Sequence, residues 1–328
     1  MAGDFWDPRC ARPAVVVPVR ADPAGLAGPT PAQARTSQWR RASRGWFVPR
    51  SVPLTVEQRI VEHAMRLPSA GAVTGWASLR WRGAAYFDGV DLSGADLPVP
   101  LLLGGAGANL RPVAGSTVSK EQFPPSELEL VDGLRCSSVA RATFDEVRRV
   151  HSEREGVVVI EMAVAAGLLT VSDLAAYVET RYAWEGVPRV RKSLALAIDD
   201  SRSPQETRMR LVWLLDAGLP PPLCNQPVFD GRGQLLGYPD LLDPVAGVVG
   251  EYDGADHLRR DRRRRDIQRE QRFRDHGLEY FSAVRGDLRD RDLVARRMLR
   301  ARARARFLPP GERSWTLQPP AWWRDRAS

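Results

Sequence analysis

Apolar and polar positions along the chain predict a helix-rich first half and a second half in which helices and strands alternate. In "LTVEQRIVEHAMRLP" (54–68) Ile60, Ala64 and Leu67 share one helical face, and "GAVTGWASLRWRGA" (71–84) predicts another helix. The grain turns strand-like over 98–135, around the run "VPLLLGG", and returns to helix over 138–150, 157–167 and 171–198. The most apolar segment, "GVVVIEMAVAAGLLTV", carries Glu161 in its middle and reads as a buried helix. Upstream, residues 1–28 are rich in Pro, Ala and Gly and lack periodicity, which predicts disorder. The stretch "PTPAQARTSQWRRASRGWFVPRSV" then reads as a short helix, a second, basic helix and a strand entered through Gly45, a helix–helix–wing pattern.

In the second half, "SPQETRMRLVWLLDAGLP" (203–220) has Ser at the N-cap, Pro at the first helical position and Glu at the third, with Gly218 and Pro220 as a stop. Strands follow in "CNQPVFD", "QLLGYPDLLD" and "VVGEYD", separated by the turns "GRG" and "PVAG". A polar helix is expected over 255–276, a strand over 278–284 and a basic helix over 288–306. The order is α-β-β-β-α-β, then α. The expected fold class is α/β (α+β overall). Its parts are a tail (1–28), a winged-helix-like segment (29–53), a mixed α/β domain (54–199), an αβββαβ domain (200–306) and a C-terminal tail (307–328).

Bulk properties narrow the setting. A chain of 328 residues exceeds most single cores. No apolar run reaches membrane-spanning length, and Asp4 and Asp7 stand where a signal peptide would be basic and then apolar. Cys10, Cys136 and Cys224 are scattered, which argues for a reducing cytoplasm and against a disulfide framework or a zinc cage. Net charge is +8, but residues 259–306 hold 18 arginines against 8 acidic residues, so the remainder is slightly acidic. Base bias explains arginine over lysine, since only Lys120 and Lys192 are lysine; it does not explain the clustering. A basic block of this kind suits a polyanion such as DNA.

Against that background the stretch "YPDLLDPVAGVVGEYDG" (238–254) gathers acids where a core strand would be apolar. Alternation puts Glu251 and Asp253 on one strand face. If "PVAG" closes a hairpin with Asp243 opposite Val248, Asp240 falls opposite Glu251, and like charges there repel. Either arginines from the basic helix or a divalent cation can offset them. Oxygen-only ligands suit Mg²⁺ or Mn²⁺. On the following helix Asp266, Arg269, Glu270 and Phe273 form one stripe; so polar a helix is either exposed and laced with ion pairs or, if the fold sets it against the sheet, turns an Asp266–Arg269 pair to the site.

Pro239-Asp240 followed by Glu251-Tyr252-Asp253 resembles the PD-(D/E)XK nuclease signature. More closely, "PQETRMR…GLP…N…V…DLLDP…GEYDGADHL…RDIQREQRFRDHGLEY" is similar to small endonuclease domains akin to very-short-patch repair endonuclease, over about residues 200–305. The resemblance implies Asp240 as the main metal ligand and Glu251 as the second acid. Asp253 takes the position where many relatives have lysine, and no lysine follows Lys192. His257 would transfer a proton or orient a phosphate. Glu206 either caps its helix or lines the site. Arg262, Arg263, Arg264, Arg265 and Arg269 would track phosphates.

In the first half, "GPTPAQARTSQWRRASRGWFVPRS", "GAVTGWASLRWRGA" and "DGLRCSSVARATFDEVRRV" resemble actinobacterial proteins related to abortive-infection (AbiEi) antitoxins, over roughly 28–195. That resemblance implies a winged-helix segment, a mixed α/β middle, and a cognate toxin or defence-system protein as a partner. Read from the residues, Trp39, Arg40, Arg41 and Arg44 on a short helix before a wing either dock on DNA or belong to an ordinary amphipathic helix. Two functions remain open. One is a Mg²⁺- or Mn²⁺-dependent DNA endonuclease. The other is a DNA-binding regulator or antitoxin with an inactive nuclease-like domain.

Overall fold

The computed structural model describes residue 12 and residues 14–105, 109–254 and 260–323, without the side chains of 260–266. It is a mixed α and β chain that divides into two units, Met1–Leu196 and Ala197–Ser328. Among the described residues no helix is long and apolar enough to cross a membrane.

The first unit opens with strands β1 (Val19–Arg20), β2 (Trp39–Ser43) and β3 (Trp46–Pro49), an antiparallel sheet in the order β1-β3-β2. This corrects two expectations. Residues 14–28 are folded: Val15 and Val17 are buried, and the Asp22 carboxylate accepts the amides of Ala24, Leu26 and Ala27 to hold a turn. The basic segment expected as a second helix is strand β2, because Gly45, at φ +81°, closes a hairpin that pairs Arg40 with Val48. The expected first helix is only a turn at Gln33–Arg35.

Next come α1 (Val56–Ala64), β4 (Ala72–Val73), α2 (Gly75–Trp81), β5 (Val99–Leu102), β6 (Ser116–Ser119), β7 (Leu128–Val131) and β8 (Leu134–Ser137). The strands form a mixed sheet in the order β6-β5-β4-β8-β7. The segment expected as helix from residue 71 therefore starts as a strand. Helices α3 (Val139–Arg149), α4 (Glu153–Ala165), α5 (Val171–Glu179) and α6 (Val187–Leu194) follow. The expected single helix over 171–198 is two, since Gly186, at φ +81°, lies in a break between them. Helix α4 is the apolar one, and Glu161 is fully buried within it.

The second unit contains α7 (Pro204–Leu211), which runs on as a π-turn (Val212–Asp216), then β9 (Val228–Asp230), β10 (Leu235–Gly237), β11 (Leu241–Asp243) and β12 (Val248–Asp253). Helix α8 (Arg260–Asp275), β13 (Glu279–Val284), α9 (Arg291–Arg304) and β14 (Trp315–Thr316) complete it. Strands β11 and β12 are antiparallel, and β12 runs parallel to β13. The stretch expected as one strand from Gln234 to Asp243 is split, β10 belonging to a separate sheet with β9 and β14. Pro239 lies in the gap, where its missing N–H cannot serve a ladder. The C-terminal segment is likewise no loose tail: β14 pairs with β9 and Trp315 is buried.

Each face of the β11-β12-β13 sheet is covered. Leu241 and Val248 pack with Trp213 and Met298. Leu242 and Val249 pack on the other face with Phe273 and Trp315. Tight approach explains two glycines. A Cβ on Gly237 would lie 2.9 Å from the Phe273 ring, and one on Gly250 would lie 2.2 Å from the Phe281 ring.

Candidate active site

The turn after β11 sets the geometry. The Asp243 carboxylate accepts the amides of Val245 and Ala246 at 2.9 Å, and Gly247 adopts φ +77°. The other carboxylate oxygen receives Arg302 Nε at 2.9 Å. This fixes Asp243 opposite Val248 and Leu241 opposite Gly250. Carried one step further, the register puts Asp240 opposite Glu251. The Asp240 carboxylate is tied to β12 itself: the Tyr252 amide, one residue beyond Glu251, donates to its Oδ2 at 2.7 Å. Asp240 follows Leu242 and Glu251 follows Val249 in strand alternation, so both acids belong to the face covered by α8.

Glu251 is buried, and Arg269 Nη2 of α8 lies 2.5 Å from its Oε2. Arg269 therefore faces the site, with Glu251 as its partner. The Asp266 side chain of the expected Asp266–Arg269 pair lies outside the described residues, as do His257 and the side chains of Arg262, Arg263, Arg264 and Arg265. Asp253 is exposed at the end of β12.

Glu206 joins from the start of α7. Ser203 Oγ accepts the Glu206 amide at 3.2 Å, as a cap should. The Glu206 carboxylate instead accepts the Arg202 amide at 3.0 Å and Asn225 Nδ2 at 2.8 Å. Sequence reasoning singled out no role for Asn225. It sits at φ +53°, and its own amide donates to Pro239 O at 3.0 Å, so it ties Glu206 to the segment that carries Asp240. Its only signal was its place between GLP and V in the pattern quoted above.

Burial pushes the Asp240 carboxyl up to about 6, and the nearby charge of Glu206 adds to that rise. The Tyr252 amide, Arg269 and Arg202 act the other way. Two carboxylates set on one face by the register, one of them reluctant to ionise, are an oxygen-only donor set of the kind Mg²⁺ or Mn²⁺ takes, with water in the remaining positions. Among the described residues no group of three or more His, Cys, Asp or Glu is arranged to hold a metal ion. The guanidinium of Arg269 lies where a cation on Glu251 would compete with it.

In the first unit, both terminal nitrogens of Arg40 lie 2.6 Å from the Glu62 carboxylate, a bidentate pair that bolts β2 to α1. That pair commits the Arg40 guanidinium to Glu62. Arg41, next along the strand, is exposed.

Much of the basic block is also committed. On α9, Arg297 pairs with Asp287, Arg302 with Asp243 and Arg304 with Glu279, while Arg296 and Arg300 are exposed. Comparison with protein-family models, with curated proteins and with solved structures gave no match to this chain.

Proposed function

We propose that the second unit is a PD-(D/E)XK-type site that hydrolyses DNA phosphodiesters with a divalent cation. The reading rests on one observation above others: the β11–β12 register, carried one step on, sets Asp240 opposite Glu251, and the Asp240 carboxylate is held to β12 by the Tyr252 amide. The α-then-strands order, with an antiparallel hairpin and a parallel strand returning through α8, supports it. Asp240 and Glu251 would hold Mg²⁺ or Mn²⁺, with Glu206 adding negative potential beside them. The bound ion would supply Lewis acidity that polarises the phosphodiester and acidifies the attacking water. Arg269 can offer its donors to a phosphate oxygen once Glu251 faces a cation. Asp253, standing at the lysine position, offers no positive charge to the transition state.

A plasmid and single-stranded DNA cleavage assay with Mg²⁺ or Mn²⁺ tests this. Asp240→Asn keeps the shape and removes the charge, so cleavage should fall by orders of magnitude while DNA binding persists. The second reading, a DNA-binding regulator or antitoxin with a cognate toxin, is favoured by the Arg269–Glu251 pair, which gives Glu251 Oε2 a cationic partner without any metal. On that reading wild type and Asp240→Asn bind DNA alike and neither cuts.

A further inference from the structure

Two residues before Asp240, Tyr238 begins a row of aromatic rings that the proposed chemistry does not use. The Arg202 guanidinium lies over the Tyr238 ring, 5.6 Å from its centroid. On from Tyr238, Trp323 follows at 6.0 Å and Trp322 at a further 5.5 Å. Trp323 is anchored edge-on against the buried ring of Phe229, 5.2 Å away, so the row has a fixed base. Its far end is open: Trp322 is 44% exposed. The near end adjoins the acids, because the Arg202 amide donates to Glu206 and the Arg202 charge is felt at Asp240.

We propose that Arg202, Tyr238, Trp323 and Trp322 form a stacking platform for unpaired nucleobases, making single-stranded DNA the substrate class of the adjacent site. The assignment of a substrate rests on the nuclease reading; the platform itself does not. A cation over one ring and successive rings beyond it suit a base whose face is bare. Paired bases hide their faces in the duplex, so they cannot use it. An arginine-rich unit supplies the backbone attraction and the rings supply the preference for open strands.

Binding is measured on the full chain in chelator, with a labelled oligodeoxythymidine, a matched duplex and the corresponding RNA strand. The expected result is tighter binding to the DNA strand than to the duplex, with quenching of tryptophan fluorescence. Trp322→Ala should weaken single-strand binding on the order of tenfold, since stacking one base is worth that much. It should leave duplex affinity and the salt slope unchanged, and Trp322→Phe should restore binding. Equal affinity of wild type and Trp322→Ala for the strand overturns the platform, as does tighter binding to the duplex. Preference for the RNA strand overturns the assignment to DNA. Because no metal is present, the outcome is independent of cleavage. A chain that binds strands through Trp322 yet never cuts retains the platform and loses the nuclease.

Discussion

Arg269 Nη2 and Glu251 Oε2 stand 2.5 Å apart, an ion pair that occupies one of the two acids a metal would need. On the nuclease reading the pair and a metal are alternatives at Glu251, and their competition can be measured. Arg269→Gln keeps much of the side-chain length and removes the charge. Mn²⁺ should then raise the melting temperature at lower concentration than in wild type, because the cation no longer displaces a guanidinium. Without metal the variant should lose about 1–2 kcal/mol, less than a fully buried pair because Arg269 is partly exposed. An unchanged Mn²⁺ dependence would show that no cation reaches Glu251.

Asp243 keeps the register that brings the acids together. Asp243→Ala removes the acceptor for two turn amides and the partner of Arg302 in one step. A loss of about 2–4 kcal/mol in urea unfolding is expected. Arg302→Met should cost less, since the turn amides keep their acceptor. Equal costs would place the effect in the ion pair alone.

How legible was this in the sequence? The hairpin register was, because Asp243-Pro-Val-Ala-Gly247 carries its own turn chemistry and the strands alternate around it. The split of β10 from β11 was foreshadowed by Pro239, but two apolar runs only ten residues long in total read as one strand. Strand β2 reads equally as a basic helix, because Trp39, Arg40 and Arg41 suit either; the Gly45 hairpin that pairs Arg40 with Val48 and the Glu62 partner on α1 decide it. The Arg269–Glu251 pair was out of reach for the same reason. Nothing local couples a helix arginine to one strand acid rather than to another. Burial of Trp315 depends on β9, more than eighty residues upstream, and no pattern in a Pro-rich segment announces it.

The first unit holds its own test of electrostatic packing. Arg141 of α3 is fully buried and reaches Asp145 at 2.9 Å, Glu121 at 2.7 Å and Glu127 at 3.4 Å, with its guanidinium 4.6 Å from the Trp184 ring centroid. Arg148 shares Glu121 and Asp145, and Arg181 shares Glu127. Removing one cation leaves three acids with too little positive charge. Arg141→Met should destabilise the chain by about 3–5 kcal/mol, and near neutral pH. Arg148→Met, with its partner Glu121 one-third exposed, should cost less. The reverse order in unfolding measurements would move the centre of the network to Arg148.

Salt dependence separates phosphate tracking from base stacking. Single-strand affinity should fall with log[salt] at about 0.7 per neutralised phosphate. Replacing Arg262–Arg265 by Ala should flatten that slope and weaken all sequences alike. Trp322→Ala should weaken binding at constant slope. If the arginine variant leaves the slope unaltered, the exposed charges of α9, Arg296 and Arg300, are the next to replace.

Asp240 makes stability depend on pH in a direction opposite to most carboxylates. Its carboxyl is pushed up to about 6 from an ordinary 3.8, chiefly by burial. The neutral form is thus the one the fold favours. Its contribution is fully present below about pH 4, and is lost as pH rises through about 6. The gap corresponds to roughly 2–3 kcal/mol, and partial exposure of the side chain argues for the lower figure. Asp240→Asn cannot ionise and retains an oxygen for the Tyr252 amide. Wild type and variant should therefore unfold at similar urea concentrations near pH 4. By pH 7.5 the variant should be the more stable by about 2 kcal/mol. Mn²⁺ should narrow that difference for wild type alone, because a cation bound to the ionised form repays its desolvation. Parallel stability curves across this range would mean that Asp240 ionises in the folded chain as freely as in the unfolded one, and the strained acid at the centre of the proposed site would be gone.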